Sequence, residues 1–178
     1  MQRRCFITTT TAVTASIFLP APLRAQEASK VQSLSQALVW LDQIEAAPGV
    51  KTSGAWPLSA VLEHLSQSIE MSMDGFPQPK SALFQNTLGT AAFTVFKLRG
   101  KMSHSLAEPI PGAPELSPSL AWRPAAARLR AAITRFNGNS AALKPHFAYG
   151  SLGRSDYAAA HSMHIANHQD EISIHRLA

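Results

Sequence analysis

Apolar residues recur at helical spacing in five stretches of this chain, and Pro and Gly punctuate the gaps between them. From Lys30 to Ala47, the residues Val31, Leu34, Leu38 and Leu41 share one face, with Ser29 as candidate N-cap and Pro48-Gly49 as the stop. A second helix is expected from Pro57, a residue suited to the first helical position, to about Asp74-Gly75. Its apolar stripe is Leu58, Val61, Leu62, Leu65 and Ile69. A third runs from about Pro79 to Leu98 with Leu83, Phe84, Leu88, Ala91, Ala92, Val95 and Phe96 as its buried face. A fourth covers Ser119 to Phe136 and stops at Asn137-Gly138. The last, capped by Ser155, runs from Asp156 to about Arg176. No strand-like alternation longer than four residues occurs, so the expected fold class is all-α. Antiparallel helices around one core, a four-helix bundle with an extra short helix, form the economical architecture. Between the third and fourth helices, residues 99–118 hold Pro109, Pro111, Pro114 and Pro118 with Gly100 and Gly112, a long Pro-rich loop.

Composition sharpens this picture. The 178 residues are 46% hydrophobic and 15% charged, enough apolar material for one core and too much for a disordered chain. One cysteine excludes an internal disulfide. The formal charge of +5 would raise nucleic acid as a partner, but its location argues otherwise. Residues 1–25 carry Arg3-Arg4, an uncharged Phe6–Leu19 run, a Pro20-Ala21-Pro22 turn and a small residue, Ala25. That is the organisation of a secretory signal, and the apolar run is shorter than the roughly 18–20 residues of a membrane span. Arg3-Arg4 followed by Cys5-Phe6-Ile7 resembles a twin-arginine export signal, with Sec export as the alternative. Cleavage after Ala25 leaves residues 26–178 as one helical domain with 13 Lys+Arg against 11 Asp+Glu. The expected location is therefore the periplasm or another exported compartment, with no membrane span after cleavage. Arg123, Arg128, Arg130 and Arg135 fall on two arcs of their helix without aromatic partners, which suits a solvated surface better than a nucleic-acid face.

The unusual count is seven histidines. His161, His164, His168 and His175 fall within an arc of about 60° on the expected last helix. His164 and His168, four residues apart, can chelate a transition metal if a third ligand arrives from another helix. The candidate is His64, beside the apolar stripe of the second helix. Zinc, nickel, iron or copper would accept such ligands, and nothing in the residues selects among them. Around this set, His161 is expected in the pocket or behind the ligands, and His146 bonding backbone near the start of the last helix. His175 is expected on the surface, and Glu171 as a solvated charge. Trp56 is expected to staple the start of the second helix. His104 and Met102, in the Pro-rich loop, hint only faintly at copper.

Trp56-Pro-Leu-Ser-Ala-Val-Leu-Glu-His64-Leu65 resembles the second-helix signature of the DinB-like (YfiT-like) metal-binding four-helix bundles. The segment from His146 through Tyr149-Gly150-Ser151-Leu152 to His161-Ser-Met-His164-Ile-Ala-Asn167-His168 is similar to one branch, domain-of-unknown-function group 1569. Phe147 stands where that branch has proline, and Asn167 where a second histidine is common. The resemblance implies a divalent transition metal (Zn, Ni or Fe) held by His64, His164 and His168. Three imidazoles leave a coordination position open, which suits hydrolase- or transferase-type chemistry. The alternative is a non-catalytic periplasmic metal- or ligand-binding helical protein. A small-molecule ligand or substrate is the expected partner, with a homodimer allowed and nucleic acid not expected.

Overall fold

The computed structural model describes residues 30–117 and 121–175. The expected export signal, the cap Ser29 and the expected helix start at Ser119 lie outside the described residues. The described chain is mostly helical: α1 (Leu34–Ala46), α2 (Leu58–Asp74), α3 (Ala82–Phe84), α4 (Thr90–Arg99), α5 (Arg123–Gly138) and α6 (Arg154–His168). A π-helical stretch, Gln85–Gly89, joins α3 to α4. The one sheet among the described residues pairs β1 (Gly49–Thr52) with β2 (Ile172–His175), antiparallel, Thr52 opposite Ile172. No helix among the described residues is long and apolar enough to cross a membrane.

Four helices supply the main core. Trp40, Leu41 and Ile44 from α1 meet Val61, Leu62, Leu65 and Ile69 from α2, Leu129, Ile133 and Phe136 from α5, and Tyr157 and Ile165 from α6. α2 lies against α5 and α6, and α1 lies against the same two. α2 is the central element, buried on its polar side as well as its apolar stripe. Ser66 and Ser72 resolve their burial by donating to the Leu62 and Ile69 carbonyls of the same helix. On the outer side, Arg128 pairs with Glu70, Arg130 with Asp42 and Glu45, and Arg135 with Asp74. These arginines tie α5 to its neighbours, although exposed pairs of this kind contribute only about 0–1 kcal/mol each.

Several boundaries differ from the sequence expectation, each for a local reason. α1 begins at Leu34, capped by the Ser33 hydroxyl, because Val31 N–H donates to Gln169 and Lys30 to the Ala166 carbonyl. Those bonds tie residues 30–31 to the end of α6 and the turn after it, outside α1. Pro57 is the extended residue before α2, not its first helical one. α6 starts at Arg154, with Gly153 in place of a Ser155 cap, and it ends at His168 instead of Arg176. A 3₁₀ turn, Gln169–Glu171, then sends the chain into β2, so His175 lies on a strand and not on a helical histidine stripe.

The largest departure is the expected third helix. Leu83, Leu88, Val95 and Leu98 are exposed, and Phe93 is its buried aromatic. The π-helical stretch inserts a residue into the turn, so a stripe counted at 3.6 residues per turn loses phase across it. Phe93 instead packs with Met102, Ala160 and Met163 in a small satellite core beside α6. Residues 101–117 carry no helix or strand, as their prolines require. Buried Met102 and Ile110, the Gln67 bond to the Pro114 carbonyl, and the Ser117 N–H bond to Glu63 hold this loop against α2 and α6.

The π-helical stretch meets the loop that carries His146 at one glycine. A Cβ on Gly89 would overlap the backbone carbonyl of Ala148, which has no side-chain freedom to yield. Gly89→Ala is therefore expected to destabilise the fold by about 1–3 kcal/mol despite its better helix propensity. Gly138→Ala, at the end of α5 with open space around it, is expected to be neutral or stabilising by up to about 1 kcal/mol. Urea unfolding of the two variants checks both signs.

Candidate metal centre

Packing of α2 on α6 brings the three expected residues together. His64 comes from α2, His164 and His168 from successive turns of α6, and all three are 9% exposed or less. Their ring centroids are separated by 5.0 Å (His64–His164), 5.2 Å (His64–His168) and 5.1 Å (His164–His168). One ring nitrogen from each falls within 4.8 Å of the other two, a group that could hold a metal ion. His64 Nε2 and His164 Nε2 are 3.1 Å apart. Two nitrogens on one tetrahedral ion, each at about 2.1 Å, would be separated by about 3.4 Å. The cluster is thus near ligating dimensions without rearrangement of the helices.

A second set of contacts fixes how the rings present themselves. His168 Nδ1 lies 2.7 Å from Glu171 Oε1. A carboxylate oxygen accepts, so Nδ1 carries the proton and Nε2 keeps its lone pair. That Nε2 is buried and has no hydrogen-bond partner, and neither has His64 Nδ1. An unpartnered buried polar atom costs about 1–3 kcal/mol, which makes an aligned lone pair here a feature that a bound cation would satisfy. His164 Nδ1 sits 3.3 Å from Ser68 Oγ. Trp56 stacks nearly parallel to His168 at 6.4 Å and tilts against His64 at 5.1 Å, which makes the indole one wall of the site. Gly54 leaves the space that the Glu171 carboxylate occupies, since a Cβ there would collide with it.

Burial also sets the charge state. It pushes the His64 imidazole down to about 4 and His168 to about 3, with neighbouring histidines adding to the effect. His164 is held well below its ordinary value for the same reasons. Neutral imidazole is the form that binds metal, so the cluster is in ligating form at neutral pH. Burial raises the Glu171 carboxyl, the opposite sign expected for an acid.

Beside the cluster lies a cavity of about 190 Å³. His64 and His164 border it from the cluster, His146, Tyr149 and His161 line it further along, and Met102 and Ile110 of the Pro-rich loop contribute its apolar surface. No Lys or Arg among the described residues lines it. His146 Nδ1 accepts from the N–H groups of Ala148 and Tyr149, at 3.1 and 3.3 Å, so its Nε2 carries the hydrogen. His161 Nε2 is 3.3 Å from Ser72 Oγ, whose own hydrogen goes to the Ile69 carbonyl, so the imidazole is the donor there. His146 stacks on Tyr149 and His161 on Tyr157. Burial lowers His146 and His161 to about 3 and raises Tyr149 to about 12.

The expected set is therefore assembled, and its surroundings need one correction. Glu171 is not a solvated charge: it is 4% exposed and bonded to His168. Its position three residues after His168 is the available signal, because side chains at that spacing meet on a helical turn. His146 both bonds backbone and lines the cavity, and His161 borders it as expected. Trp56 packs on the core and covers the histidines as well. Nothing in the local sequence marks Ser68 or Gly54, and Tyr149 is marked only as part of the 146–152 segment. The family model described as "Protein of unknown function (DUF1569)" matches residues 24–174, and the chain belongs to that family. No curated protein and no solved structure matches it.

The second pair of histidines gives a stability test. Both are neutral when folded, at about 3, and have the ordinary value of about 6.5 when unfolded. The unfolded chain thus binds more protons below about 6.5, and each group's stability is lost as pH falls from there, by up to about 1.4 kcal/mol per pH unit. The urea midpoint of the metal-free protein is expected to drop between pH 7.5 and 5, and His161→Gln is expected to flatten that dependence.

Proposed function

We propose that this chain is an exported metal-binding protein of the DinB-like four-helix type, with His64, His164 and His168 as ligands to a divalent transition metal ion, Zn, Ni or Fe. The observation that carries this reading is the unpartnered, buried Nε2 of His168, directed by the Glu171 bond on its far nitrogen. The four core-forming helices and their mutual contacts support the bundle assignment. Residues 1–25 are the cleaved export signal and 26–178 the mature domain, which acts in the periplasm.

Bound by three imidazoles, the ion would supply Lewis acidity at one open position, the requirement of hydrolase- or transferase-type chemistry. The chain's own residues do the rest. Glu171 and Ser68 orient ligand rings, and Trp56 keeps water from one side. His146 and His161, neutral and facing the cavity, can hold or move a proton at a bound molecule. A lining without Lys or Arg suits an uncharged or cationic small molecule better than an anion. A non-catalytic binder would use the same ligands, and turnover assays separate the two.

Metal analysis of protein recovered from the periplasm tests the reading. The wild type is expected to carry about one ion per chain and His64→Ala none, while absence of metal from both would overturn it. Glu171→Gln and Gly54→Ala are expected to weaken metal affinity about 10–100-fold through loss of ring orientation, with far-UV circular dichroism unchanged. The mass of the recovered protein is expected to begin at Gln26, and an intact Met1 would contradict export by cleavage.

A further inference from the structure

A fourth imidazole stands at the three-histidine cluster. His104 lies in the loop between α4 and α5 and is exposed, unlike the three it faces. Its ring centroid is 4.8 Å from that of His164 and 5.7 Å from that of His168. The three cluster rings are 5.0–5.2 Å from one another, so the fourth ring stands at a similar spacing from two of them. What differs is direction, because His104 is outside the group whose donor atoms fall within 4.8 Å.

Its present contact shows which nitrogen is available. His104 Nδ1 is 2.7 Å from the Ser105 carbonyl oxygen. That oxygen only accepts, so Nδ1 holds the hydrogen and Nε2 the lone pair. The backbone around it is anchored: Met102 is buried against Phe93, Ala160 and Met163, and Ile110 is buried on the other side. An exposed side chain on an anchored backbone changes rotamer readily, on the ps–ns timescale.

We propose that His104 is a fourth ligand, one that turns its Nε2 onto an ion held by His64, His164 and His168 and completes a tetrahedral shell. This rests on the metal-binding reading above. Four imidazoles leave a tetrahedral ion no open position, whereas three leave one. His104, His64 and His164 all border the cavity. Rotation of this one loop side chain therefore decides whether the ion can meet a molecule in the cavity.

Cobalt(II) substitution with azide as probe tests the proposal. The wild type is expected to show intense four-coordinate visible bands that azide leaves unchanged. His104→Ala is expected to bind Co²⁺ at least about tenfold more weakly and to give bands that shift with azide. Identical affinity and spectra in the two proteins, or bands that shift equally with azide, would overturn the proposal while leaving the three-ligand centre standing. Failure of the wild type to take up Co²⁺ would overturn both. His104 is exposed and outside every core cluster, and unchanged far-UV circular dichroism of the variant establishes that its fold is retained.

Discussion

Glu171 accepts a hydrogen bond from His168 Nδ1 where both side chains are almost wholly removed from water. That contact determines the tautomer of the ring and hence the atom it offers to the other histidines. The chain leaves the α-helix immediately after His168, and the three-residue turn that follows sets Glu171 against His168 before the chain reverses into β2. The 3₁₀ turn and the pairing of β2 with β1 make that reversal, and the Ser53 N–H bond to the Glu171 carbonyl extends it. Gly54 and Trp56 come from the same segment, the stretch between β1 and α2. The small sheet thus brings together a carboxylate, the space it occupies and the aromatic wall beside it.

The centre imposes a cost on the fold. Five neutral imidazoles, His64, His146, His161, His164 and His168, are removed from water in a chain of 178 residues. Two of their ring nitrogens are buried without a partner. The large apolar cluster shared by α1, α2, α5 and α6 offsets this, and its position is informative. The ligand side chains leave α2 and α6 from helices held in place by Val61, Leu65, Ile69 and Ile165, all 1% exposed or less. Rigid helices therefore carry the three cluster residues, while the cavity is completed by loops, the arrangement in which geometry is held and access can vary.

Much of this was legible in the pattern of residues. The stripes on α1, α2 and α5 are strongly periodic, and the i, i+4 pair His164/His168 with His64 on another helix was identifiable as one potential centre. What escaped depends on non-local or aperiodic structure. Strands of four residues, paired across more than a hundred positions, carry no detectable alternation, so the helix expected from the sequence runs on through β2. The π-helical stretch has no compositional marker beyond Gly89, so the periodicity places Leu83, Leu88 and Val95 in a core that four other helices already fill. His104 sits in a Pro-rich loop, where spacing says nothing about which side chains meet.

The most direct test of the central claim is the ring-nitrogen chemical shift of His168 in ¹⁵N-labelled protein at neutral pH, measured before and after addition of Zn²⁺. The structure predicts a neutral Nδ1–H tautomer without metal, then a change confined to the unprotonated Nε2 once the ion is added. A proton on Nε2 in the metal-free protein, or a ring indifferent to Zn²⁺, would contradict the account.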